Sequence, residues 1–307
     1  MNPAYSVILF TTASGAGYGL LALLGLVGFN HGPASSFAFG LASIVIALGL
    51  ITLGLLSSTF HLGHPERAWR ALSQWRSSWL SREGVASVLT YVPALLFGAT
   101  WTDIIHAPAM IGSLGLITAA MCVITVYCTA KIYSTLKTIR AWNHPLVVPV
   151  YLAFALASGG ALMTAIATVF GRFQVFQVIL TAVALLWVIG LKFFYWRAID
   201  NAARTHTMAA ATGLGHGVRQ WEVPHTSENY IMKEMGFAVA RKHALKLRNA
   251  VFLLMLVTLI ALAACLLTPW FSFIAAPAIL LAAVVERWLF FAEAQHVVSL
   301  FYGAEKA

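Results

Sequence analysis

FAFGLASIVIALGLITLGLLSSTF (Phe37–Phe60) runs for 24 residues without one charged side chain, and HLGHPERAWRALSQWRSSWLSREG (61–84), dense in Arg, Trp, His and Glu, follows at once. A helix of about 20 apolar residues is what a hydrocarbon core of about 30 Å requires, because every backbone donor and acceptor must find its partner inside the segment. Seven other stretches read the same way: Ser6–Phe29, Gly84–Trp101, Pro108–Ala130, Leu146–Phe170, Val175–Trp196, Ala250–Leu267 and Trp270–Tyr302. The last is long enough to extend past the lipid. Composition agrees, since 60% of the 307 residues are hydrophobic and 9% charged, whereas soluble domains run at about a quarter charged. The prediction is an all-α, polytopic membrane protein, eight transmembrane helices in one bundle, forming a single integral membrane domain over residues 1–307.

Charge distribution orients the bundle. Seventeen of the 19 Lys and Arg residues fall at the C-terminus or between Arg67 and Arg82, Lys131 and Arg140, and Lys192 and Arg248; Arg172 lies on the other side and Arg287 in the last span. Basic connections stay in the cytoplasm, so an even number of spans puts the N- and C-termini there too. The net charge of +9 is thus a topology signal, and nucleic-acid binding is not expected. The same residues suit anionic lipid headgroups. The first span has no Lys or Arg before it and exceeds a signal-peptide core of about 7 to 15 residues, so it is read as retained. Its Gly15 and Gly19 form a small-xxx-small face for close helix packing. Cys122, Cys128 and Cys265 are embedded in apolar sequence, and an iron–sulfur cluster needs about four thiolates, so the chain is expected to hold no cluster and no metal.

The connection 62–83, expected in the cytoplasm, carries far more chemistry than a link between two helices needs. Trp69, Trp75 and Trp79 suit a short helix at headgroup level. His61 closes span two and Glu83 opens the approach to span three, which places both at about the same depth on adjacent helices. Imidazole titrates near neutrality, and a carboxyl beside it supplies a second proton-exchanging group, the pair needed to hydrogen-bond a quinone carbonyl and carry its protons. Snorkelling or helix capping is the bland alternative. His64, Glu66 and the outer Arg residues are read as topology and docking charges.

The pattern His61-Leu62-Gly63-x-Pro65-x-Arg67-Ala68, followed by Leu80-Ser81-x-Glu83, resembles the membrane anchor subunit of dimethyl sulfoxide reductase and its relatives. Weaker likeness continues through Lys131-Ile-Tyr-Ser, Gly159-Gly160 and Glu286-Arg287. The resemblance implies eight helices in a bacterial inner membrane. It also implies a molybdopterin catalytic subunit and a four-cluster iron–sulfur subunit as partners, and a quinone (ubiquinone or menaquinone) as redox substrate. It assigns the quinone site to His61 and Glu83, with Gly63 and Arg67 beside them. Two departures qualify it. The connection 197–248, with ATGLGHGVRQWEVPHTSENYIMKEMGFAVARKHALKLR, is similar to anchors of sulfite-oxidising molybdoenzymes, and the charge count puts the His61 loop in the cytoplasm. Together they point to the cytoplasmic, quinone-linked sulfite dehydrogenase type, with both partner subunits on that face. Menaquinol oxidation by a dimethyl sulfoxide reductase-type anchor is the alternative, and a secondary transporter is the alternative of another class.

The glycines Gly213, Gly215 and Gly217 lack a preceding strand and the spacing of a nucleotide loop. From Thr226 or Ser227 to Arg248 an amphipathic helix is expected, a partner-docking surface with Trp221, His225 and Tyr230 as contacts or a plain interfacial helix. In the last span Glu286 and Glu293 are seven residues apart and share a face. Glu286 is expected to pair with Arg287 and with residues of another span, a proton path to the quinone being the second reading. His61, His144 and His296 all lie toward the cytoplasmic edge, so haem b, though not expected, is geometrically conceivable.

Overall fold

A computed structural model describes residues 3–202, 206–215, 218, 221–222 and 239–302, with the side chains of residues 61 and 239–242 excluded. Among these residues eight helices are long and apolar enough to cross a membrane. They are α1 (Tyr5–His31), α2 (Phe37–Ser57), α3 (Trp79–Trp101), α4 (Pro108–Ser134), α5 (Val147–Val169), α6 (Val175–Asn201), α7 (Val239–Ala264) and α8 (Ser272–Ala292). Ile139 and His296 form an isolated antiparallel bridge. Alternation puts Tyr5, the turn Pro65–Gln74, Lys131, Arg140 and Arg248 at one end of the bundle, here called the basic end, and Arg172 at the other.

The spans lie where the apolar runs predict them, and the differences are at their ends. Helix α3 starts at Trp79, not Gly84, so the connection closes at Ser78, whose hydroxyl faces the Ser81 N–H at 3.5 Å. Hydropathy misses this first turn because its polar residues point into protein rather than lipid. The run Trp270–Tyr302 is broken: α8 ends at Ala292, and Val297–Tyr302 forms a 3₁₀ turn beyond it. Of the amphipathic helix expected from Thr226 or Ser227, the part from Val239 is helical and continuous with α7. His225, Thr226, Ser227 and Tyr230 lie outside the described residues, while Trp221 is exposed.

Helices α1 and α5 are the most enclosed, and glycine lets them touch. A Cβ on Gly19 would run into the Ala155 carbonyl, and one on Gly159 would strike the Gly19 backbone. Gly25 of α1 meets Gly115 of α4 in the same way. In lipid, where apolar burial gives little advantage over contact with acyl chains, such close packing is a main source of association. Gly15, the other half of the predicted small-residue face, has open space beside it. Just before it, Phe10–Ser14 forms a π turn within α1, with Thr12 donating to the Ile8 carbonyl at 2.8 Å and Ser14 to the Phe10 carbonyl at 2.6 Å.

Gly159→Val is expected to destabilise the bundle by about 1–3 kcal/mol or more, since neither backbone can give way. Gly190→Ala, with nothing near its Cβ, should be neutral or stabilising by about 1 kcal/mol. Thermal unfolding of the detergent-solubilised protein separates the two; equal melting temperatures would refute the contact.

Candidate functional site

Glu83 lies in the second turn of α3 at the basic end and is only 5% exposed. It is covered from above by the preceding connection. The Ser81 hydroxyl donates to the Ala71 carbonyl, and Arg82 donates from Nε to the Trp75 carbonyl at 2.9 Å and from Nη2 to the Arg76 carbonyl at 2.6 Å. Leu72 sits where a Cβ on Gly84 would have to go. The 3₁₀ turn Pro65–Gln74 is thereby strapped across the start of α3. Arg82 and Lys131 lie 4.4 Å and 5.4 Å over the Trp79 ring and fix that corner to α4.

The Glu83 carboxyl faces inward. Its side-chain partners are Ser87, whose hydroxyl stands 3.4 Å from Oε1, and Thr129 of α4. Neither is a cation, which is unusual for a buried carboxyl group and marks it as a site candidate. His61 ends the 3₁₀ turn Ser58–His61 that continues α2, at the same end of the bundle; its side chain is among those excluded. Gly63 and Arg67 stand apart from this inward-facing carboxyl. Both are exposed, and Arg67 points to Glu66 at 3.6 Å, which also accepts from His64 Nδ1 at 3.0 Å.

A second constellation is larger and was only partly legible. Glu286 of α8 is fully buried and pairs with Arg287 Nη2 at 2.5 Å, as predicted, and with Nζ of Lys192 on α6 at 2.7 Å. Lys192 sits within its helix, not in the basic connection where charge counting places it. Aromatic faces complete the enclosure: Lys192 lies 4.1 Å from the Tyr195 ring centre and 4.2 Å from that of Trp196, and Arg287 lies 3.8 Å over Tyr151. Such cation–π contacts strengthen as water is removed. Around them Tyr133, Trp142, Tyr151, Phe290 and Phe291 interlock edge-on and stacked, and Trp142 donates to the Phe290 carbonyl at 2.8 Å. The signal that could have found Lys192 is a lone ammonium about one helical turn before the end of an apolar run, which needs an acidic partner elsewhere.

Nearer the surface Arg248 bridges Glu293 at 2.9 Å and Asp200 at 2.7 Å, beside a cleft of about 340 Å³ lined by Arg140, Tyr195 and Gln295. Burial raises the Glu293 carboxyl above the ordinary range and lowers His144 and His296 below theirs. His144 and His296 each accept a backbone N–H on Nδ1, from Leu146 at 3.2 Å and Val298 at 3.0 Å. At the opposite end a wider, largely apolar cleft of about 590 Å³ carries Arg172 at its rim.

Comparison with known proteins assigns the lineage. Residues 1–304 match the family model described as DMSO reductase anchor subunit (DmsC), and the chain belongs to that family. It is 32% identical to a sulfite dehydrogenase subunit of Allochromatium vinosum, across 98% of this chain and 99% of that protein. The chain is therefore a multi-pass membrane anchor of a complex of the DMSO reductase type.

Glu286→Gln leaves two cations in the interior with no counter-charge and should cost about 3–5 kcal/mol, against about 1 kcal/mol or less for Glu293→Gln at the wetter rim. Melting curves of the two purified variants give the comparison; a Glu286→Gln protein as stable as Glu293→Gln would contradict the ion cluster.

Proposed function

We propose that this chain anchors cytoplasmic molybdopterin and iron–sulfur subunits and forms the quinone site of their complex, passing electrons from the iron–sulfur partner to the quinone pool as sulfite is oxidised to sulfate. The observation that carries it is Glu83, a buried carboxyl without a cationic partner, at the same end of the bundle as His61 and in the stretch that follows the Leu-Gly-x-Pro-x-Arg signature. A quinone ring offers two carbonyl oxygens and takes up two protons with its two electrons, so it calls for one hydrogen-bonding, proton-exchanging group on each side. An imidazole and a carboxyl meet that demand. Sulfite oxidation takes an oxygen from water and releases two electrons and two protons; the electrons travel through the iron–sulfur partner, and this chain delivers protons where quinone receives them. Exposed Gly63 and Arg67 fit the surface the partner covers better than the ring itself.

The choice of sulfite rests on the relative named above and on the basic end lying in the cytoplasm. Menaquinol oxidation, the alternative, would use the same two residues with protons leaving instead of arriving. A transporter would purify alone, whereas an anchor brings its soluble partners with it.

His61→Ala and Glu83→Gln are expected to lower quinone-linked turnover of the assembled complex at least 100-fold, with reduction of a soluble dye by the partner subunits retained. Quinone turnover that survives both changes would place the site elsewhere. Sidedness has its own test. The native cysteines are buried, so in membranes that hold this chain without its partner subunits a membrane-impermeant thiol reagent should label Ser73→Cys only from the cytoplasmic side and Asp103→Cys only from the periplasmic side. The reverse pattern would move the partner subunits to the periplasm.

A further inference from the structure

The strap over α3 raises a question of proton supply. With Pro65–Gln74 tied down by the Ser81–Ala71 and Arg82 hydrogen bonds, and a partner subunit seated on that loop, Glu83 has little access to water from its own side. Its other neighbours lead inward. Thr129, one of its two side-chain partners, also lines a small, partly open cavity of about 20 Å³ bounded by α1, α4, α5 and α8. Room of that size accommodates one water molecule, provided polar partners are present. They are: Tyr18, Tyr151 and Arg287 line the same cavity, and their buried hydroxyls and Nη1 are incompletely satisfied among the described residues, Tyr18 facing Ser87 and Tyr151 facing Arg287 without a well-formed hydrogen bond. Buried polar groups with incomplete hydrogen bonding carry a desolvation cost of up to about 1–3 kcal/mol, which a shared water lowers.

On its far side the cavity meets the ion cluster. Arg287 lines the void, holds Glu286 and stacks on Tyr151; Glu286 holds Lys192; and Lys192 lies against Tyr195, whose other side lines the polar cleft with Glu293. Polar and aromatic groups thus lead from the cleft toward Glu83, with the Tyr195 ring, whose hydroxyl donates to the Ala141 carbonyl at 2.9 Å, standing between the cleft and Lys192. The π turn of α1 borders the same void, and such turns are frequent at functional sites.

We propose that a water molecule bound between Tyr151, Arg287 and Thr129 joins the Lys192–Glu286–Arg287 cluster to Glu83, and that this path carries protons from the Glu293 cleft to the quinone site. The inference rests on the assignment of Glu83 as the proton-exchanging group. Glu83 gives its proton to a quinone oxygen as the partner's iron–sulfur chain supplies the electron. The resulting carboxylate is reprotonated through Thr129 and the water, and the cluster regains its proton at Glu293 from bulk water. Arg287 keeps its proton throughout and serves to hold the water and balance charge, since a guanidinium does not deprotonate in proteins. Lys192, Glu286 and the hydroxyls pass it on, the Tyr151 hydroxyl carrying the proton past Arg287 between Glu286 and the water.

The test uses the complex purified with its partner subunits. Thr129→Val and Tyr151→Phe should each slow quinone-linked turnover at least tenfold and introduce a solvent deuterium isotope effect above that of the parent. Azide or formate, small acids that carry protons through a broken path, should restore part of the rate. Thr129→Ser, which keeps the hydroxyl, should behave as the parent. Parental turnover in both hydroxyl-deletion variants overturns the path, and so does slow turnover with neither isotope effect nor rescue, the mark of mere mispacking. If Thr129→Val does not assemble, Glu293→Gln at the cleft mouth is read by the same criteria. Loss of turnover in Glu83→Gln alongside unaffected Thr129 and Tyr151 variants removes only the path, whereas full activity of Glu83→Gln removes the quinone assignment and the path together.

Discussion

Backbone-to-backbone contact at the glycines of α1 is the constraint on which the rest of this bundle depends. In water a helix pair is held by the expulsion of solvent from apolar faces; between acyl chains that drive is largely absent, and proximity has to be achieved geometrically. Gly19 against Ala155, Gly159 against Gly19 and Gly25 against Gly115 bring α1, α4 and α5 to distances that any larger side chain forbids. Once these three helices are fixed, the positions of Tyr18, Tyr151 and Thr129 around the small cavity follow from their place along each helix. The glycine contacts therefore do indirect chemical work, because they bring hydroxyls from three helices to one point.

Charge is handled by a complementary logic. The chain gathers its interior charges in one place, Lys192, Glu286 and Arg287, and surrounds them with ring faces instead of additional carboxylates. A buried ion pair is a poor source of net stability, since desolvation offsets most of the attraction, whereas breaking one is costly. Its retention in a membrane interior thus suggests a use beyond cohesion. Glu83 is treated oppositely: it is enclosed by hydroxyls and given no counter-ion. One interior acid is held between cations, and the other faces only hydroxyls.

Much of this was legible in the chain. The eight spans are visible because lipid selects long uncharged runs, and the ion pair of Glu286 with Arg287 follows from the penalty on lone charges at that depth. The residues around His61 and Glu83 stand out because a simple connection has no need of so many ionisable groups. What escaped was whatever depends on partners distant in sequence. Lys192 resembles an ordinary interfacial lysine until Glu286, 94 residues later, is brought against it. Ser81 looks like part of a loop until the Ala71 carbonyl reaches it, and the true start of α3 is hidden for the same reason. The Gly25–Gly115 contact gives no local signal at all.

The π turn at Phe10–Ser14 has a consequence for how related chains differ. A π turn accommodates one more residue than the α-helical turn it replaces, so everything before it is rotated by about 100° about the axis relative to an unbroken helix. A homologue with a regular first helix would be one residue shorter at this point, leaving a single-residue gap between Phe10 and Gly15 when the two chains are aligned. Either its preceding turns would present another face to the bundle, or the helix would have to rotate and surrender the fit at Gly19.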